Sequence, residues 1–146
     1  MDMKTYKFYG CDTPSVKPID ERFKGIKDQR HLYDLLSEAW SKETCAPRMQ
    51  KDWSKDNMTL GQCSITAFLV QDIFGGLVYG VPLEDGNYHC FNVISDVVFD
   101  FTSEQFGETK LDYQNAFLQK REDHFSKKEK YQRYFLLKRR LLEKLR

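Results

Sequence analysis

Apolar and polar positions follow two rhythms along the chain, and the switches between them mark the elements. From about Gln29 to Lys42, Leu32, Leu35, Leu36, Ala39 and Trp40 recur at intervals of three and four, one stripe of an amphipathic helix. Pro47 lies beyond it, where a helix would not continue. Thr59 and Gln62 have the spacing of a capping box, which predicts that a second helix starts there. Ile65, Phe68, Leu69, Ile73 and Phe74 give that helix a face wide enough for a buried central position, and Gly75-Gly76 ends it. The rhythm then changes to that of strands: LVYGVPL (77–83), YHCFNVIS (88–95) and VVFDFT (97–102), joined by turns at Asp85-Gly86 and Ser95-Asp96, predict an antiparallel meander. Pro82 confines the first strand to an edge or to the end of its pairing. Thr102 and Gln105 predict a short capped turn closed by Gly107. From Ser126, with Glu129 as a second capping box, Tyr131, Tyr134, Phe135, Leu137, Leu141, Leu142 and Leu145 predict a long C-terminal helix.

These elements imply an α+β fold, a central helix packed on a small antiparallel sheet with a long terminal helix. Residues 1–29 hold two of the four prolines and little pattern, and read as an irregular arm. Residues 30–146 read as a single domain. A chain of 146 residues, 40% hydrophobic and 14% aromatic, can bury a core and is not disordered in composition. The start MDMKTYKFYG lacks the apolar stretch of a secretory signal, and no run approaches the roughly 18 apolar residues of a membrane span, so a cytoplasmic protein without a membrane partner is expected.

The net charge of +1 conceals an asymmetry. Residues 119–146 carry eleven Lys and Arg against four Asp and Glu, or +7, leaving −6 on the rest. Such a tail can meet an anionic partner or dock internally. Its aromatic residues sit at helical spacing, so docking is the expectation and nucleic acid is not an expected partner.

Cys11, Cys45, Cys63 and Cys90 lack the spacing of zinc ligands, and Cys63, Cys90 and His89 together make a weak metal site. No cofactor is expected. Cys63 is different from the others in its position near a helix start, where unpaired amides and the helix dipole favour a thiolate. Gly61 leaves room for a backbone to approach. If Ser95-Asp96 is a two-residue turn, Ile94 faces Val97, Phe91 faces Asp100 and His89 faces Thr102. His89 and Asp100 then share a face, diagonal to each other. Cys63 becomes a candidate nucleophile, His89 its general acid-base and Asp100 the orienting acid. Gln62 is a candidate oxyanion donor beside the Cys63 amide. Asn92, on the other face, is a supporting residue. Gln71 and Asp72 fall late in the central helix, where a carboxylate needs a cation, and the basic terminal helix could supply one.

The order Cys, His, Asp, with cysteine on a helix start and the others on neighbouring strands, is similar to transglutaminase-like and arylamine acetyltransferase-like members of the papain-like superfamily. In those families the cysteine attacks an acyl carbon. GQCSITAFLVQDIFGG, HCFNVI and DFTSEQF together resemble the YunG-like family of small bacterial proteins over roughly residues 32–140. Ser64 and Cys90 depart from that pattern, which has alanine and an aromatic there. The combined expectation is a cysteine-dependent acyltransferase or amide hydrolase acting on a peptide or small acyl substrate. The alternative is a non-catalytic module that binds a protein or peptide on the same frame.

Overall fold

The structure is a computed structural model and describes residues 5–146. Its helices are α1 (Gln29–Ala39), α2 (Cys63–Phe74), α3 (Arg121–Phe125) and α4 (Lys128–Lys144). Its strands are β1 (Leu77–Pro82), β2 (Tyr88–Ile94), β3 (Val97–Phe99) and β4 (Phe117–Leu118), and they form one antiparallel sheet in the order β3-β2-β1-β4. The fold is α+β, a small four-stranded antiparallel sheet with a long C-terminal helix.

Register follows from the Ser95-Asp96 turn. Both residues have positive φ, 51° and 65°, as a tight two-residue hairpin connection requires. Ile94 therefore pairs with Val97, Val93 with Val98 and Asn92 with Phe99. Past β3, Asp100 continues the line and bridges to Tyr9 of the arm, its amide donating to Tyr9 O at 2.9 Å. Pro82 is the last residue of β1, opposite Tyr88, where its missing amide interrupts nothing. β1 is nevertheless internal: β4, which the sequence pattern did not reveal, pairs with Tyr79 and Gly80 along its other side.

Helix α2 begins at Cys63, four residues after the predicted cap. Gly61 is the reason, for its φ of +71° breaks the helical path, and a Cβ there would lie 2.5 Å from Cys45 Sγ. The backbone approaching Gly61 is thus the chain's own, with Ala46 N donating to Gly61 O at 2.9 Å. Thr59–Gln62 is a turn, and Thr59 Oγ1 makes no cap bond. The second predicted box also fails to form. Ser126 ends α3 by donating to Asp123 O at 2.8 Å, and Glu129 instead pairs with Arg133 at 2.7 Å. The turn after β3 is a single 3-10 helix (Ser103–Phe106) ended by Gly107, but Thr102 caps nothing, and its carbonyl accepts the Gln105 amide at 3.0 Å.

Helix α2 is buried almost all round because it packs on β1 and β2 on one side and on α4 on another. Ile65, Leu69 and Ile73 meet Leu36, Trp40, Leu137 and Leu141 in the core, to which the arm adds Phe8, Phe23 and Ile26. Burying these side chains contributes roughly 1.5–3 kcal/mol each. The basic residues of α4 dock it: Arg133 donates to Thr44 O at 2.9 Å, Arg140 to Ala39 O at 2.8 Å, and Lys144 pairs with Glu38 at 3.0 Å. These cations meet carbonyls and a carboxylate near the C-terminus of α1, where the helix dipole favours positive charge. Among the described residues no helix is long and apolar enough to cross a membrane.

Candidate active site at the start of the central helix

Helix α2 points its N-terminus at the beginning of β2. Its first amides lack intrahelical partners, and the helix dipole makes that end positive. Cys63 is the first helical residue, half-buried, with its sulfur 3.9 Å from Tyr88 O. Strand alternation turns Cys90 and Asn92 toward α2, and His89 and Phe91 to the opposite face. Cys63 meets both sets because it sits at the strand end, near enough to both Cys90 and His89 for each to shift its acidity.

The acidity of Cys63 is increased well beyond that of an ordinary thiol. The hydrogen bond from Cys90 is the leading cause; burial opposes it, and the hydrogen bond and charge of His89 add to it. Cys90 moves the other way, held protonated by its bond to Cys63 and by burial. For His89, burial alone would lower the pKa, but bonds to Asp100 and Cys63, and their charges, raise it to about 10. The three shifts run in one sense, toward an anionic Cys63 beside a cationic His89, with Cys90 kept protonated.

His89 is held from behind. Its Nε2 lies 2.7 Å from Asp100 Oδ2, and both side chains are 1% exposed. The register expected from the Ser95-Asp96 turn thus carries the imidazole and carboxylate to the same side. Asp100 is itself fixed: Tyr113 donates its hydroxyl to Oδ2 at 2.7 Å, and the Thr102 amide donates to Oδ1 at 3.2 Å. Phe106 packs edge-on against the imidazole with centroids 4.7 Å apart.

Gln62 and Asn92 stand apart from this cluster. Gln62 is fully buried and donates its amide to Ser41 O at 3.0 Å; it does not line the cleft. Asn92 donates to Ala67 O at 2.8 Å, tying β2 to the middle of α2. The donors left unpaired at this end are therefore main-chain amides, from the first turn of α2.

A cleft of about 310 Å³ opens over Cys63 and His89. Its far wall comes from α3, α4 and the link between them, which bring His124, Lys130, Arg133 and Lys127; Arg48 approaches from the Pro47–Asp52 turn. Lys130 Nζ is 3.0 Å from His124 Nδ1, and His124 Nε2 is 2.8 Å from Gln119 Oε1. Burial and then the Lys130 charge push His124 down to about 4, so it is neutral, accepts from Lys130 and donates to Gln119. Sequence reasoning missed His124, Lys130, Tyr113 and the part played by Cys90. None has a local motif; only Cys90, next to His89, carried a hint.

Comparison with known proteins bears on this cleft. The sequence profile described as "YunG protein" matches residues 28–146. The chain belongs to the YunG family. One relative, "Uncharacterized protein YunG" of Bacillus subtilis (strain 168), is 34% identical over 102 residues, covering 65% of this chain and 83% of its own. The family match takes in α1 through α4 and every residue of the cleft. No solved structure matches the chain. The likeness to papain-like and transglutaminase-like enzymes therefore finds no structural neighbour to support it, and the order of Cys63, His89 and Asp100 does not by itself establish that fold.

Proposed function

We propose that this YunG-family protein is a cysteine-dependent enzyme of acyl transfer or amide hydrolysis. The observation that carries the proposal is the convergence, at the mouth of one cleft, of a thiol at a helix N-terminus and an imidazole backed by a buried carboxylate. A thiolate–imidazolium pair suits covalent catalysis because it sets a nucleophile and a proton donor side by side at one cleft.

In this mechanism the Cys63 sulfur attacks the carbonyl carbon of the substrate, forming an S–C bond while the carbonyl oxygen takes the electron pair. Main-chain amides of the first turn of α2 stabilise that oxyanion. As the bond to the leaving group breaks, His89 passes its proton to the departing nitrogen, oxygen or sulfur. Water, or an acceptor amine or alcohol, then gives its proton to His89 and displaces Cys63 from the thioester. Asp100 acts as a positioning residue, holding the imidazole toward the sulfur and favouring its charged form; Tyr113 and Thr102 keep Asp100 in place.

An activated ester, p-nitrophenyl acetate, tests this. Near neutral pH the protein should release p-nitrophenolate with Cys63 acetylated, seen as a mass gain on its peptide. The acetyl group should then leave faster in wild type than in H89N. Acetylation of Cys63 no faster than that of Cys11 or Cys45 would overturn the proposal and favour a purely binding role for the cleft.

A further inference from the structure

The cations around the cleft are not all used. Arg133 is committed to Glu129 and to Thr44 O, as described above. Arg48, Lys127 and Lys130 form no ion pair among the described residues. The one carboxylate on the lining, Asp123, pairs with none of them. Lys130 is the most constrained of the three. It is half-buried, and its only hydrogen-bond partner among the described residues is the neutral ring of His124, which fixes the ammonium while leaving its charge unbalanced. Burial, then the nearby Lys127, works against that charge, and the thiols of Cys90 and Cys63 are near enough to favour it. A half-buried cation held by a neutral acceptor, with only the sulfur that His89 also faces to offset its charge, has no carboxylate partner among the described residues.

We propose that the cleft takes a small acyl substrate bearing a carboxylate, and that Lys130, positioned by His124 and Gln119 and assisted by Lys127 and Arg48, binds this group beside Cys63. The inference rests on the cysteine-enzyme reading and names its substrate class. A volume of about 310 Å³ suits a small molecule, since ligand pockets span roughly 300–1,000 Å³. Lys130 and Cys63 line the same cleft, so one small molecule can present its carboxylate to the ammonium and its carbonyl to the sulfur. His124 and Lys130 come from different helices, so the carboxylate site also ties α3 and α4 to the cleft.

Two alkylating reagents of nearly equal shape test the charge preference. Iodoacetate and iodoacetamide both form a sulfur–carbon bond with the Cys63 thiolate as the carbon–iodine bond breaks and iodide leaves. At one pH the ratio of their rates cancels the thiolate fraction and reports the preference for an anion. The full-length protein should show an iodoacetate-to-iodoacetamide ratio at Cys63 about tenfold or more above that of glutathione, falling with added salt. K130Q should bring the ratio several-fold down toward that of glutathione, and K130R should largely keep it. Circular dichroism of each variant checks folding. Fast alkylation by both reagents with the ratio of glutathione, unchanged in K130Q, would overturn the carboxylate site alone. Slow alkylation of Cys63 by both would overturn the thiolate reading and the carboxylate site together.

Discussion

The two ends of α2 carry polar clusters of opposite design. At the C-terminal end Asp72 faces the negative pole of the helix, an unfavourable place for a carboxylate. It is fully answered: Arg121 pairs with Oδ1 at 2.8 Å, the Tyr134 hydroxyl binds Oδ2, and Lys138 stands 3.9 Å away. Arg121 also donates to Phe68 O and Gln71 Oε1, and its guanidinium lies against the Phe68 ring with 5.4 Å to the centroid. Gln71 donates to Gly76 O at 3.2 Å. The carboxylate and both cations each have an ion-pair partner, and the cluster stitches α2 to α3 and α4. At the N-terminal end the balance is left incomplete. Cys63 is half-buried at the cleft, the imidazole is held charged by a buried carboxylate, and Lys130 has no carboxylate partner among the described residues. A buried polar group alone therefore says little about function; what separates the two ends is whether anything remains for a ligand to complete.

Substitutions can break that contrast. The largest effect should come from C63S, which removes the thiolate and should abolish fast alkylation and acetylation by on the order of 10³-fold, with stability changed by less than about 1 kcal/mol. H89N removes the His89 share of the shift and leaves that of Cys90, so it should raise the Cys63 pKa part of the way and slow iodoacetamide several-fold. D100N keeps the shape of the side chain but not its charge, and should slow deacylation roughly tenfold to hundredfold, with the alkaline end of the activity profile moved to lower pH because the imidazolium is less favoured. The opposite end should behave in reverse. D72A leaves Arg121 and Tyr134 without their partner and should destabilise the fold by about 2 kcal/mol in urea, yet change Cys63 alkylation less than about twofold.

Proton linkage sharpens the same comparison with smaller effects. His124 titrates near 6.5 when unfolded and about 4 when folded. Between those values the unfolded chain binds more protons, so stability is lost as pH falls through that window and levels off below it. H124Q should flatten this acid limb, measured as urea midpoint against pH. His89 has the opposite sign. Its folded value is about 10, so its contribution is complete below about 6.5 and is lost as pH rises toward 10.

The parts of the site that were legible in the sequence were those set by short-range geometry. The Ser95-Asp96 turn fixed a pairing, and the pairing brought His89 and Asp100 together across 11 residues. The Gly75-Gly76 end and the apolar face of α2 identified a central helix, and the position of Asp72 called for the cation that Arg121 and Lys138 supply. The helix starts were read less well, because Thr59 and Ser126 have the right spacing but the wrong neighbours. Gly61 must turn left-handed against Cys45, and α3 reaches Ser126 before α4 can begin. β4, Tyr113, His124 and Lys130 could not be read at all. Each reaches the site through a tertiary contact, such as the 3.0 Å approach of Lys130 to His124, that no periodicity records.

The charge state of Cys63 in the intact protein is the most direct test of the whole account. Ultraviolet thiolate absorbance, taken as the difference between wild type and C63S across pH, reads it without any substrate. The thiolate signal should persist well below the pH at which an ordinary thiol loses it, and shift toward alkaline pH in H89N. A signal that emerges only above about pH 8, unaltered by H89N, would contradict the account.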